Sequence, residues 1–274
     1  VKFLAMNSYL VFTDLDGTLL DHDTYSYEDA APALELLKKR SIPLVLCTSK
    51  TREETSELRN ELGLTHPFIT ENGGGIFIPS DSPLPKNPME KTGHGFRFVS
   101  LGQPRESILE VFRLLKRSFR LKGFSDMTAE EVAAMTGLSK AQAVRAMNRD
   151  FSEPFLYLDD EDKLDLLEKK AHERGLRLTR GGRFFHLIGQ GADKGSAVEL
   201  LIESFRLMRS HLISVALGDS LNDLPMLQKV DAPFLVQRPG GVYDPDVRFP
   251  GLRFVPGVGP KGWNRAILDF LRKQ

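Results

Sequence analysis

The sequence predicts an α/β fold: a parallel, Rossmann-like sheet interrupted by a smaller α+β unit. Three observations carry this expectation. The apolar run Tyr9-Leu10-Val11-Phe12 has the composition of a buried parallel strand and ends in the polar segment Asp14-Leu15-Asp16-Gly17-Thr18. The first eighty or so residues alternate between strand and helix signals, and the same alternation resumes from Lys194. The stretch between them changes character, with short strands and helices in no βαβ order. Residues 1–84 and 190–274 are therefore read as two parts of one core, and 85–189 as an insertion.

The elements follow in order. After the first strand, Tyr27 to Lys39 reads as a helix with Ala30, Leu34 and Leu37 on one face. The strand Leu44 to Cys47 comes next, then a polar helix from Arg52 to Leu62 stopped by Gly63. Phe68 to Thr70 and Ile76 to Ile78 are short strands around Glu71-Asn72-Gly73-Gly74-Gly75. Pro79 to Gly95, rich in Pro, Ser, Asp and Lys, reads as a boundary loop. In the insertion, Phe96 to Val99, Phe155 to Tyr157 and Arg183 to Ile188 read as strands. Glu106 to Arg120, Thr128 to Met135, Lys140 to Asn148 and Lys163 to Arg174 read as helices. The second core part gives a helix from Lys194 to Met208 and the strand Leu212 to Leu217. A helix near Leu224, the strand Pro233 to Val236 and a closing amphipathic helix from Trp263 to Leu271 follow.

Composition narrows the function classes. Lys plus Arg total 37 and Asp plus Glu total 37, so no global field favours nucleic acid or an anionic membrane. A single cysteine, Cys47, lies in an apolar run and reads as a buried structural thiol of a reducing compartment. No apolar stretch is long enough to cross a bilayer, and the start of the chain lacks a signal-peptide layout, so a cytoplasmic protein is expected.

The chemistry concentrates at strand ends, where open α/β sheets bind ligands. Asp14 and Asp16, two positions apart on an extended segment, project to one side. Like charges held so close call for a cation or a proton. Gly17 permits a sharp turn, and Thr18 offers a hydroxyl and an N–H to an anion. Asp-x-Asp-Gly also opens calcium loops, but the position of the closing Glu is occupied by Tyr25, and a strand rather than a helix precedes. Thr48-Ser49-Lys50 follows the second strand; Thr48 offers a hydroxyl to phosphate, or on this segment alone more simply a cap for the next helix, as Ser49 or Thr51 could too. Lys194 opens a helix, where a lysine is usually a solvated surface residue, but it runs against the helix dipole, which lends some support to a phosphate-binding role. Gly218-Asp219-Ser220-Leu221-Asn222-Asp223 leaves an apolar strand with oxygen donors that suit Mg²⁺. Asp219 reads as the direct ligand, and Asn222 and Asp223 as outer partners that fix waters or orient Lys194.

Asp14 to Thr18, Thr48, Lys194 and Gly218 to Asp223, in this order, resemble the four motifs of the haloacid dehalogenase (HAD) superfamily. The split core with an insertion after the third strand, and Thr70-Glu71-Asn72-Gly73, resemble its Cof-type branch, whose cap is of the C2B type. Three features depart from the common Cof pattern: Thr48-Ser49-Lys50 in place of Thr-Gly-Arg, the segment Leu178 to Leu187, and Phe151-Ser152-Glu153-Pro154-Phe155. Together they resemble the mannosyl-3-phosphoglycerate phosphatases.

The resemblance implies a Mg²⁺-dependent phosphatase acting on a phosphorylated sugar-glycerate. It makes Asp14 the nucleophile, Asp16 the acid/base, and Thr48 and Lys194 the holders of the phosphoryl oxygens. Mg²⁺ would be held by Asp14, the main-chain carbonyl of Asp16, and Asp219. A glycerate adds a carboxylate, for which Lys50, Arg180 and Arg183 are the candidate cations, with Asn72 and Gly73 also expected near substrate. His186, in an apolar run, reads as a packed core residue. A different class of function is offered by residues 128–147, spaced like a helix-turn-helix; few cations on its second helix and the neutral chain argue against DNA binding. Oligomeric state is not legible.

Overall fold

The computed structural model describes residues 8–181 and 184–272. The chain begins with β1 (Ser8–Thr13), α1 (Ala31–Lys39), β2 (Leu44–Cys47), α2 (Arg52–Glu61), β3 (Phe68–Thr70) and β4 (Gly75–Pro79). It continues with β5 (Lys91–Gly93), β6 (Phe96–Ser100), α3 (Arg105–Leu115), β7 (Leu121–Gly123), α4 (Ala129–Thr136), α5 (Lys140–Met147) and β8 (Ser152–Tyr157). Then come α6 (Leu164–His172), β9 (Leu176–Gly181), β10 (Phe184–Gly189), α7 (Lys194–Arg206) and β11 (Leu212–Gly218). The last elements are α8 (Leu224–Leu227), β12 (Ala232–Gln237), β13 (Arg253–Val258) and α9 (Pro260–Arg272).

Among the described residues the large sheet has nine strands in the order β13-β12-β11-β1-β2-β3-β4-β6-β5, and a second sheet has the order β7-β8-β10-β9. The six strands from β13 to β3 are parallel, and β4, β6 and β5 add an antiparallel edge. The α/β expectation with an inserted α+β unit therefore stands. The large sheet nevertheless runs on to Ser100, past residue 84, because β4 turns back and recruits β6 as its neighbour.

The parallel strands are buried on both faces. One apolar layer joins Val11, Leu44 and Val215 to α1 and α9 through Leu37, Trp263 and Ile267. The other joins Leu10, Val45 and Ala216 to α7 through Val198 and Leu201. The thiol of Cys47 lies in this second layer and burial pushes its pKa up, so it is an unreactive packing group. The small sheet packs α3 and α6 around Ile108, Phe112, Phe155 and Leu167, while α4 and α5 form a satellite cluster around Val132 and Ala143.

Four strands lie where no strand was expected. β5 sits inside the predicted boundary loop; the helix expected to reach Arg120 ends at Leu115, and β7 starts just past Arg120. β9 pairs along its length with β10. β13 carries Pro256 and Gly257, residues tolerated because the strand lies at the outer edge of the sheet.

Candidate active site

Neighbouring parallel strands deliver the polar residues to one edge. Asp14 directly follows β1, Asp219 follows β11, Thr48 follows β2 and Asn72 lies two residues past β3, so the site lies across the carboxyl ends of four adjacent strands. Asp14 is anchored from behind: the Trp263 indole N–H donates to Thr13 Oγ1 (2.9 Å), and that hydroxyl donates to the Asp14 carbonyl (2.6 Å). Gly17 has φ of +80°, and a Cβ there would lie 3.0 Å from Asp219 Oδ2, so the turn and the carboxylate both require glycine.

Lys194 is the electrostatic centre. Asp193 caps α7 by accepting from the Ser196 N–H (2.8 Å), which leaves Lys194, the first helical residue, to point into the sheet edge. Its buried ammonium donates to Asp14 Oδ1 and Asp223 Oδ1, both at 2.6 Å. Asp223 Oδ2 accepts from the N–H groups of Asp219 (3.0 Å) and Ser220 (3.2 Å), and Asp219 Oδ1 accepts from Ser220 Oγ (3.1 Å) and Thr18 Oγ1 (3.3 Å). Asp223, expected to fix waters or orient Lys194, is a direct hydrogen-bond partner of Lys194. Both polar groups of Thr18, expected to be open to an anion, are engaged: the hydroxyl with Asp219 and the N–H with the Leu15 carbonyl.

Carboxylate oxygens of Asp14, Asp219 and Asp223 fall within 4.8 Å of one another, all buried. Burial, then the Asp223 charge, holds the Asp14 carboxyl well above the usual range against the pull of Lys194. The same two causes push Asp219 up to about 7. Burial opposes the Lys194 charge, but Asp14 and Asp223 outweigh it and hold the ammonium above its usual range. One ammonium among three carboxylates leaves negative charge that a hard cation would relieve. An all-oxygen donor set of this kind fits Mg²⁺.

Thr51, not Ser49 or Thr48, caps α2, through a capping box with Glu54. Thr48 is buried, and its hydroxyl oxygen accepts from the Lys50 N–H (3.1 Å) while its carbonyl accepts from the Asn72 N–H (2.9 Å). Asn72 adopts φ of +56°, and its side chain accepts from Asn222 Nδ2 (3.3 Å), linking the ends of β3 and β11. Gly73 belongs to the framework: a Cβ there would meet the Asp193 carbonyl oxygen at 2.1 Å, so glycine lets this turn press on the start of α7. The Asp16 carboxylate stands apart from the buried cluster and pairs with Lys50 at 2.9 Å. Lys50, expected against the substrate, is therefore committed to Asp16, with its ammonium over the Tyr25 ring at 5.0 Å.

Above this floor opens a cavity of about 630 Å³ whose wall includes Asn72, Lys194 and Asn222 from the large sheet and Thr179 and Arg180 from β9. Arg180 lies over the Phe185 ring at 5.3 Å. Arg183 lies outside the described residues. Arg177 and Arg238 also line the cavity and were not foreseen. Arg177 donates to the Ala192 carbonyl through Nε (3.1 Å) and Nη2, and burial lowers its pKa. The Leu-Arg-Leu-Thr-Arg alternation of residues 176–180 is a strand signal that places Arg177 and its neighbours on a wall. Arg238 follows an apolar strand as Asp14 and Asp219 do.

The small sheet is seated on this edge by Glu71. Its buried carboxylate accepts from the N–H groups of Asp150 (2.7 Å) and Phe151 (3.0 Å) and from Ser152 Oγ (2.5 Å), with Arg149 Nε at 3.5 Å. Burial raises its pKa, and Arg149 leads the groups that oppose the rise. Arg149 also donates to the Ser49 carbonyl. Arg145 pairs with Glu57 at 2.7 Å, and Lys140 with Glu130 at 2.5 Å. The cations that a DNA-reading helix pair would need are thus paired with acidic side chains or main-chain carbonyls, and α5 buries Ala143 and Ala146 against α4. His186 is buried as expected, and burial, then the nearby charges of Arg149 and Lys194, push its pKa down to about 3.

The haloacid dehalogenase-like hydrolase family profile matches residues 11–238. The chain is 44% identical over 268 residues to a glucosyl-3-phosphoglycerate/mannosyl-3-phosphoglycerate phosphatase of Methanococcoides burtonii, covering 97% of this chain and 98% of that one. The protein of the same name from Persephonella marina is 42% identical, covering 96% and 97%. Among solved structures, a Thermoplasma acidophilum protein superposes with a TM-score of 0.70 at 18% identity, covering 97% of this chain and 99% of the other. Sucrose-phosphatase from Synechocystis gives 0.64 at 16%, covering 97% and 98%.

Proposed function

We propose, for a chain that belongs to the haloacid dehalogenase-like hydrolases, that it is a Mg²⁺-dependent phosphatase releasing mannosylglycerate and phosphate from mannosyl-3-phosphoglycerate. The observation that carries the reaction type is the Lys194 bridge between Asp14 and Asp223 beside Asp219, at the ends of adjacent parallel strands. Asp14, Asp219 and the main-chain carbonyl of Asp16 would hold the metal, which when bound supplies positive charge for the phosphoryl oxygens and the attacking carboxylate.

One carboxylate oxygen of Asp14 is fixed by Lys194, which orients the other for in-line attack on phosphorus. The new bond joins that oxygen to phosphorus while the ester oxygen departs, taking a proton from Asp16. In the second half Asp16, now ionised, accepts a proton from water as the water oxygen attacks phosphorus, and Asp14 leaves as a carboxylate. Lys50 holds Asp16 at the rim of the site, and Thr48 and Lys194 face the phosphoryl oxygens. Arg180 brings a cation from the small sheet toward the glycerate end of the cavity.

The glucosyl ester is the second reading, favoured by the double name of the two relatives. Phosphate release from mannosyl-3-phosphoglycerate, glucosyl-3-phosphoglycerate and simple hexose phosphates, with Mg²⁺ and with chelator, tests the proposal. The expected result is Mg²⁺-dependent turnover with the glycosyl-glycerate esters preferred. Faster hydrolysis of hexose phosphates would overturn the substrate assignment, and undiminished activity in chelator would overturn the metal.

A further inference from the structure

We propose that Arg238 is a specificity residue that reads a carboxylate on the substrate, making phosphate monoesters of short hydroxy acids the favoured class. This deepens the proposed function and rests on it for the identity of the ester.

Among the described residues, four cationic side chains line the cavity: Arg177, Arg180, Lys194 and Arg238. Lys194 is buried between Asp14 and Asp223, and Arg177 is spent on the Ala192 carbonyl. Arg180 lies against the face of Phe185. Arg238 is differently placed. Its Nη1 donates to Asp244 Oδ2 (3.2 Å) and its Nε lies 3.9 Å from Asp219 Oδ2, while Nη2 takes no protein partner among the described residues. The side chain is 44% exposed, enough to offer that free nitrogen to a ligand.

Position makes this guanidinium a ruler. Arg238 directly follows β12, the neighbour of β11 in the large sheet, so it belongs to the same rigid edge as Asp14 and Asp219. Its distance from the reacting phosphorus is set by the parallel sheet and not by the seating of the small sheet. The main chain is pinned as well: the Arg238 N–H donates to the Val242 carbonyl (2.8 Å) across a tight turn. Asp244, itself buried and accepting from the Asp246 N–H (3.0 Å), orients the fork. In a phosphoglycerate ester the carboxylate lies two carbons from the ester-bearing carbon. It therefore stays at the metal-cluster end of the cavity, by the large-sheet edge that carries Arg238 and its free Nη2. A planar fork suits a carboxylate better than a point charge does.

The test compares Arg238→Ala and Arg238→Lys with the native enzyme on glucosyl- and mannosyl-3-phosphoglycerate and on p-nitrophenyl phosphate, which lacks a carboxylate. In Arg238→Ala, the rise in KM for the glycerate esters should exceed that for p-nitrophenyl phosphate by on the order of tenfold to a hundredfold. Arg238→Lys should recover part of the difference. Equal losses on both kinds of substrate would overturn the proposal, since they would mean that Arg238 acts through Asp219; so would no loss on either. If the native enzyme hydrolyses p-nitrophenyl phosphate but neither glycerate ester, the substrate assignment above fails on its own. The comparison then moves to 3-phosphoglycerate against glycerol 3-phosphate, where the same differential is required and its absence overturns the role of Arg238.

Discussion

The floor and the wall of the cavity are built in opposite ways. On the floor, Asp14, Lys194, Asp219 and Asp223 are buried, carry short hydrogen bonds to one another and emerge from adjacent strands or the start of α7. On the wall, Arg180 and Phe185 come from the antiparallel pair of β9 and β10, and their contacts are a ring face and a cavity. The floor is over-determined, because each carboxylate is fixed by at least one other group. The wall is held by packing and can change side chains without disturbing the reacting groups. Chemistry and selectivity are therefore separable by mutation.

The largest effect should come from the floor. Asp14→Asn is expected to lower kcat on the order of 10⁴-fold or more while the circular dichroism spectrum and melting temperature stay near native. Near-normal turnover would remove Asp14 from the role of nucleophile. Asp16→Asn comes next, at about 10²–10⁴-fold in kcat. A pH profile of that variant should lose the limb due to the general acid, and an unchanged profile would assign the proton transfer elsewhere. A wall substitution should do much less. Arg180→Ala is expected to raise KM for the glycerate esters roughly fivefold, below the effect of Arg238→Ala, because one face of its guanidinium is already occupied. If Arg180→Ala proves the more damaging, carboxylate recognition belongs to the small sheet.

The smallest effect concerns stability. His186 has a folded pKa of about 3 against an ordinary 6.5, so its contribution is complete above pH 6.5 and is lost as pH falls toward 3. Between about pH 6.5 and pH 5 the native protein should lose roughly 1–2 kcal/mol from this source. His186→Leu should flatten that slope in urea titrations at the two pH values. An unaltered slope would mean that other groups govern the acid limb.

The same contrast explains what the sequence made legible. Carboxylates that directly follow apolar runs are conspicuous, so Asp14, Asp16 and Asp219 could be placed at a sheet edge from pattern alone. Lys194 was legible because a cation at a helix start runs against the helix dipole. Asp223 was expected to orient Lys194, but sequence spacing does not tell that it shares the ammonium with Asp14. Lys50 was expected to face substrate; only the folded turn after β2 reveals its pairing with Asp16. Gly73 looked like part of a binding motif, whereas its packing against Asp193 needs coordinates to see. On the wall, the alternation in β9 carried a signal, but cavity-lining arginines have no motif. Pro256 and Gly257 hid β13, because edge strands obey looser rules than central ones.

The hydrogen bond from Trp263 to Thr13 joins groups 250 residues apart. Its consequence concerns time rather than geometry. During synthesis Thr13 emerges 250 residues before Trp263, so Asp14 has no indole behind it until α9 has been made. A nascent chain stalled before α9 would carry Asp14, Lys194, Asp219 and Asp223 and still lack this support.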